Sequence, residues 1–240
     1  MSVLYYRALV KWISCLSSKQ AVWVRFLQAR PRKIMDDFVN IARKLILVKD
    51  LSAVIDFDLV NDKIKTLEFG PNISNRISTN KHIFDAPELL GVKSALEHEC
   101  EGFLRHGYQL ADFENLRMTT SWVNITDPGH AHHEHNHPFS VVSGVMYLDD
   151  NPDNLNLGLE VSTADIPYFL WKKDNCVTLK TMLGPENNLK NHVVLFLSNT
   201  AHSVEQTSTN SMPRRSISFN TFWKGVTGVY GMEFESINFK

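Results

Sequence analysis

The chain has 240 residues, enough for one large domain or one domain with an appendage, and its 43% hydrophobic and 21% charged residues suit an ordinary globular core and surface. A formal charge of −1 leaves no electrostatic footprint for nucleic acid. Three scattered cysteines, Cys15, Cys100 and Cys176, exclude a disulfide framework or a cysteine zinc site and point to a reducing, cytoplasmic setting, and no apolar run reaches the ~18 residues of a membrane span.

Residues 1–45 read as an N-terminal extension. Arg7, Lys11, Lys19, Arg25, Arg30, Arg32 and Lys33 are basic, no acid precedes Asp36, and Val3, Leu4, Tyr5, Tyr6, Leu9, Val10, Trp12 and Ile13 crowd the same stretch. A secretory signal fits poorly, because Arg7 and Lys11 interrupt the apolar region. The favoured readings are a helix packed on the domain, or a translated upstream stretch with Met35 as an alternative start. A basic amphipathic helix touching a membrane or partner is the competing one.

Residues 36–48 (DDFVNIARKLILV) read either as a helix or as a strand leading into the body. Asp85 as cap and Pro87 in the first turn predict a helix start. Leu89, Leu90, Val92, Leu96, Cys100, Phe103 and Leu104 then recur at helical spacing, predicting an amphipathic helix over 86–106 that stops at Gly107. Beyond residue 115 the pattern changes to short strands at 117–125, 142–148, 157–162, 176–180, 192–197 and 214–223, separated by turn-rich stretches such as DPG, DDNPDN and GPENN. Helices followed by strands predict an α+β fold, and many short strands predict a sandwich or barrel, of which a jelly roll is one solution.

Five of the ten histidines fall within eight residues: His130, His132, His133, His135 and His137. Imidazole is the commonest metal ligand among side chains. Along an extended backbone, residues two apart share a face, so His135 and His137 can converge on one ion, and so can His132 and Glu134. The bland alternative is a solvated, adventitiously metal-binding loop. The distant sequence argues against it: an apolar strand, a small polar loop, His202, and twelve residues later Arg214 with Ser216 on the same strand face. A third histidine completes a facial triad that leaves metal positions open. An arginine and a serine side by side can hold the far carboxylate of a dicarboxylate through a bidentate pair and an added hydroxyl bond.

SWVN at 121–124, HNHPFSVVSGVMYL at 135–148 and HSVEQ through RRSISFN at 202–220 together resemble the 2-oxoglutarate/iron(II) oxygenases related to prolyl 4-hydroxylases, of the marine bacterial and phage type. The resemblance runs from about residue 48 to residue 224. It implies a double-stranded β-helix (a cupin-like jelly roll) with supporting N-terminal helices, occupying residues 46–240. His135, His137 and His202 are then the iron(II) ligands at the catalytic centre. Arg214, Ser216 and Tyr147 hold 2-oxoglutarate, with Asn124 facing the same cavity. The implied reaction consumes oxygen, releases succinate and carbon dioxide, and hydroxylates a peptidyl or small-molecule substrate. One departure stands out, since the wider superfamily uses His-x-Asp or His-x-Glu where this chain has His135-x-His137. His132 with Glu134 is the alternative pair, and three neutral imidazoles also invite zinc.

Asp149, Asp150 and Asp153 read as a solvated turn, and His192 as structural. Trp122, Trp171 and Trp223 read as core packing. Tyr168, Phe169, Leu170 and Trp171 read as a substrate lid or a buried strand. Two functions compete with the oxygenase: a non-catalytic metal-binding β-module, and a cupin-like metalloenzyme that does not use 2-oxoglutarate. The setting expected is the cytoplasm of a bacterium or a phage-infected host cell, and a homodimer is compatible with the sequence.

Overall fold

A computed structural model describes residues 37–41, 44–110, 116–160, 176–184, 186–210, 212–224, 226–229 and 232–235. The 1–45 extension as far as residue 36, and the Tyr168–Trp171 run, lie outside the described residues. The chain is α+β as expected, but the order is not helices first: two strands open the described residues, two more fall between the helices, and the remaining strands follow.

Residues 36–48 resolve as strands. β1 (Asp37–Ile41) pairs antiparallel with β2 (Lys44–Asp50). Leu47 of β2 joins the core beneath the helices, while Ile46 and Val48 join a second core on the opposite face. A strand buried on both faces reads as a continuous apolar run, and this is why its periodicity was ambiguous. Helix α1 (Phe57–Lys65), absent from the sequence reading, starts at Asp56, whose carboxylate accepts from the Asp58 and Leu59 amides at 3.1 Å each.

The helix expected over 86–106 is present in three pieces. Pro87–Leu89 form a 3₁₀ turn, α2 spans Leu90–Gly102, and Phe103–Gly107 close with a π turn. Its buried stripe is Val92, Leu96, Cys100, Phe103 and Leu104. Asp85 does not cap it, because its carboxylate takes the Lys93 Nζ at 2.6 Å.

Two antiparallel sheets carry the rest. The larger has the order β1-β2-β10-β7-β12-β5-β4-β3, where β3 is Phe69–Pro71, β4 Arg76–Ser78, β5 Leu116–Thr126, β7 Val142–Tyr147, β10 His192–Leu197 and β12 Arg214–Trp223. The smaller has the order β6-β11-β8-β9, with β6 His132–His135, β8 Leu157–Glu160, β9 Cys176–Thr178 and β11 His202–Val204. A separate hairpin joins β13 (Val226–Val229) to β14 (Met232–Glu235). The strand expected at 176–180 is shorter than read. The Thr178 hydroxyl accepts from the Thr181 amide at 3.2 Å and starts a short helix, α3 (Leu179–Leu183).

Period-two alternation decides which side of the large sheet does what. On β12, Ile217 and Phe219 join the core shared with α2, while Arg214, Ser216 and Ser218 point the other way. On β10, Val193 and Leu195 pack toward the helices, and Val194 and Phe196 toward the second core with Leu155, Leu157, Leu159 and Leu179. The helices thus cover one face of the large sheet. Polar side chains from its centre line a cleft whose other wall comes from the small sheet.

Candidate metal centre

Three imidazoles meet at the small-sheet wall of this cleft. The potential ligand atoms of His135, His137 and His202 all lie within 4.8 Å of one another, the one such group found among the described residues. Strand pairing brings them there, since His202 of β11 sits opposite His135 of β6. His137 follows β6 and is tied by its amide to the Ser198 carbonyl at 3.0 Å. The rings of His135 and His202 lie 4.3 Å apart, and that of His137 lies 5.0 Å from each.

Hydrogen bonding sets which nitrogen two of the rings offer. His135 Nδ1 meets the His133 carbonyl at 2.9 Å, and His202 Nδ1 meets the Thr200 carbonyl at 2.9 Å. A carbonyl can only accept, so both Nδ1 atoms carry hydrogen and both Nε2 atoms are left with a lone pair for a metal. Burial drives the His202 pKa down to about 3 and that of His137 to about 4, and lowers that of His135. At neutral pH the trio is therefore uncharged, the state a cation requires.

A fourth ring, His132, also lines the cleft, 4.7 Å from that of His135. Two residues of β6, His133 and Glu134, lie opposite the single Ser203 of β11, a bulge that turns His132 onto the same side as His135. Strict alternation placed His132 with Glu134 instead. Glu134 is exposed and does not line the cleft, so the His132/Glu134 pair is not assembled here.

Opposite the imidazoles, the large sheet presents its side chains in rows. Ser216 of β12 lies between Asn124 of β5 and Tyr147 of β7, and Ser218 lies between Trp122 and Val145. Arg214, one pleat before Ser216, is 4% exposed. Its Nη1 donates to the Asp153 carbonyl at 3.3 Å, whereas its Nε and the Tyr147 hydroxyl are buried with no hydrogen-bond partner. Burial lowers the Arg214 pKa and pushes that of Tyr147 up to about 12, so the cation is costly and the phenol stays protonated. A buried guanidinium and a buried phenol, both with unused donors, make a cradle for an anion.

All seven residues singled out in the sequence line this one cleft. Asn124 differs in detail, because its amide is already engaged by Asn75 and Ser218. Trp122 belongs to the cleft rather than the core, with its ring 5.8 Å from that of His137. Asp153 is buried rather than solvated, and accepts from the Ser208 amide at 3.1 Å. Its partner in the acidic run, Asp149, grips Arg215 at 2.6 and 2.9 Å. His192 is buried away from the cleft, its Nδ1 on the Lys190 carbonyl, as expected of a structural histidine. Asn75 and Ser218 were missed. Ser218 continues the i, i+2 pattern of Arg214 and Ser216, whereas nothing local marks Asn75.

Residues 120–220 match the family described as “Putative 2OG-Fe(II) oxygenase”. Among solved structures, the fold is similar to HygX from Streptomyces hygroscopicus with nickel, 2-oxoglutarate and hygromycin B bound, at 9% identity and a TM-score of 0.52, covering 75% of this chain and 83% of that one. It is also similar to SnoN, the non-heme alpha-ketoglutarate-dependent epimerase of nogalamycin biosynthesis, at 12% identity and a TM-score of 0.51, covering 78% and 80%. At these identities the likeness is one of fold, the double-stranded β-helix. No curated protein matches the chain.

Proposed function

We propose, from the premise that residues 120–220 belong to the 2OG-Fe(II) oxygenase family, that the cleft binds iron(II) on His135, His137 and His202 and 2-oxoglutarate between that metal and Arg214. The observation that carries this reading is the pairing of two features in one cleft. One wall offers three neutral imidazoles, and the other a buried Arg214 whose Nε has no partner.

The residues present fit both groups. Two of the three imidazoles are held by carbonyls in the tautomer that exposes Nε2, and among the described residues no carboxylate joins the group. The triad adds no negative charge, so the charge of the metal is left for the anionic co-substrate to balance. Arg214 takes the distal carboxylate, Ser216 lies beside it on the same strand face, and the Tyr147 hydroxyl supplies a further donor. Satisfying these donors removes the penalty of burying them unpaired. Bound iron(II) supplies the oxygen chemistry that converts 2-oxoglutarate to succinate and carbon dioxide and oxidises the substrate.

The protein's own contribution is orientation and exclusion of water. Leu157 and Val204 of the small sheet, with Phe196 of β10, make the surroundings of the imidazoles apolar, and Trp122 closes over His137. We assign residues 46–240 to the oxygenase domain and residues 1–45 to an extension. No helix of the described residues is long and apolar enough to cross a membrane. The three scattered cysteines favour a reducing, cytoplasmic setting. The substrate class that fits by kinship is a peptidyl or small-molecule C–H bond, and a homodimer is the assembly to test for.

The test is succinate formation by anaerobically purified protein given iron(II), 2-oxoglutarate and oxygen, alongside His202→Ala. Slow succinate release by the wild type and none from the variant is the expected result. No succinate, tight zinc and no 2-oxoglutarate binding would overturn the reading in favour of a metal-binding module, which the neutral triad also suits.

A further inference from the structure

The hydroxyl of Ser218 ends a chain of side-chain amides. Asn72 Nδ2 donates to Asn75 Oδ1 at 2.8 Å, Asn75 Nδ2 donates to Asn124 Oδ1 at 3.4 Å, and Asn124 Nδ2 donates to Ser218 Oγ at 2.9 Å. Every link runs in the same direction. The chain begins in the turn between β3 and β4, closed by the Asn72 amide on the Asn75 carbonyl at 2.8 Å, and ends inside the cleft. Asn75 and Asn124 are 6% and 8% exposed, so the central link between them is shielded from water.

The direction of the chain has a chemical consequence. A serine oxygen that accepts from an amide keeps its own hydrogen to donate elsewhere. With Asn124 giving, Ser218 turns an O–H toward the cleft. Were Asn124 to present its carbonyl oxygen instead, that hydrogen would be consumed, and Ser218 would offer only lone pairs to whatever the cleft holds.

Ser218 also stands at a defined place along the co-substrate. Ser216 shares its row with Tyr147 and follows Arg214, at the distal-carboxylate end. Ser218 shares its row with Trp122, whose indole packs on the metal-site ring of His137. Residues two apart on a strand are separated by roughly 6.7 Å. The two ends of a five-carbon diacid are joined by four C–C bonds of about 1.5 Å each. A diacid held at one end by Arg214 and Ser216 is long enough for its other end to reach Ser218 as it turns toward the metal site.

We propose that Ser218 is a third co-substrate contact, donating a hydrogen bond to the carboxylate at the oxo-acid end of 2-oxoglutarate, and that Asn75 and Asn124 are positioning residues that set the direction of its hydroxyl. The proposal rests on the reading of the cleft as a 2-oxoglutarate site. It extends that site to the β3–β4 turn, which lies outside the matched residues 120–220.

The experiment measures binding of 2-oxoglutarate, and of 2-oxobutyrate in competition with it, to the nickel-loaded full chain by calorimetry. 2-Oxobutyrate has the oxo-acid end but no distal carboxylate. Ser218→Ala is expected to weaken both acids about ten-fold, the scale of a charge-assisted hydrogen bond. Ser218→Thr restores both, and Arg214→Met weakens 2-oxoglutarate alone. Asn75→Asp leaves an acceptor where Asn124 now meets a donor. Asn124 must then turn its NH₂ toward residue 75 and its carbonyl toward Ser218. The expected loss matches Ser218→Ala, with no further loss when the two changes are combined. A non-specific effect of the added charge would persist in the Ser218→Ala background and overturn the positioning role. Unchanged binding by Ser218→Ala, with 2-oxoglutarate lost in Arg214→Met, would overturn the Ser218 contact and leave the site intact. A wild type that binds no 2-oxoglutarate would remove the site itself, and the proposal with it.

Discussion

Arg214 is a cation held at 4% exposure whose Nε has no partner among the described groups, and burial lowers its pKa. Such a group destabilises the free protein and strengthens binding of whatever neutralises it. Arg214→Met, which keeps much of the volume and drops the charge, is expected to leave the denaturant midpoint unchanged or raised. The same change should raise the KM for 2-oxoglutarate about a hundred-fold or more. A clear loss of stability with an unchanged KM would make Arg214 a structural residue instead. The histidines make a second residue-scale prediction. In the unfolded chain they titrate near 6.5, whereas in the fold burial depresses His202 to about 3 and His132 and His137 to about 4. Between those values the unfolded state binds more protons, so metal-free stability is full above about pH 6.5 and declines as pH falls toward 4. From pH 7 to pH 5, His202 alone should contribute a loss of about 2 kcal/mol. Urea midpoints at the two pH values, compared with those of His202→Leu, test this. An equal pH slope in both proteins would contradict it.

Among the elements, β7 lies between β10 and β12 in the large sheet. Gly144 sits at its centre, opposite Leu195 on one side and Phe219 on the other. A Cβ there would overlap the Phe219 ring and come within 2.8 Å of Leu195 Cδ2. Both neighbours are fully buried, so neither can swing away. Gly144→Ala is therefore expected to cost about 1–3 kcal/mol, the price of overpacking a core. Thermal unfolding checks this, and an unchanged Tm would mean that the sheet opens there at no cost. β12 shows how one strand serves two tasks, with Ile217 and Phe219 in the core and Arg214, Ser216 and Ser218 in the cleft. Shifting its register by a single residue would exchange the two sets.

For the whole molecule, the candidate cleft lies between the two sheets. His135 and His202 belong to the small sheet, and Arg214, Ser216 and Tyr147 to the large one. A metal that binds only the folded state stabilises it by RT ln(1 + [L]/Kd), about 2.7 kcal/mol at a hundred-fold excess over Kd. For a chain of this length that corresponds to a rise in Tm of roughly 5–10 °C. Nickel(II) should produce this shift in the wild type and not in His202→Ala, and 2-oxoglutarate should add to it only when the metal is present. An equal nickel shift in the variant would place the metal elsewhere.

The local sequence carried the chemistry of the site and most of the strands. A cluster of imidazoles, a distant histidine and an Arg-x-Ser strand are legible because ligand type and strand pattern are local properties, and β10, an apolar run, and β12 lie where those patterns put them. Tertiary structure decided what alternation cannot express. The β6 bulge turned His132 into the cleft and left Glu134 outside, since the extra residue arises only when β6 pairs with β11. Asp85 lost its capping role to a lysine one helical stretch away. Asn75 enters the site from a turn 49 residues before Asn124, and the direction of the Ser218 hydroxyl follows from that encounter. The burial of Arg214, which gives the cleft its preference for an anion, depends on two sheets closing over it and is a property of the fold rather than of the residues around it in the chain.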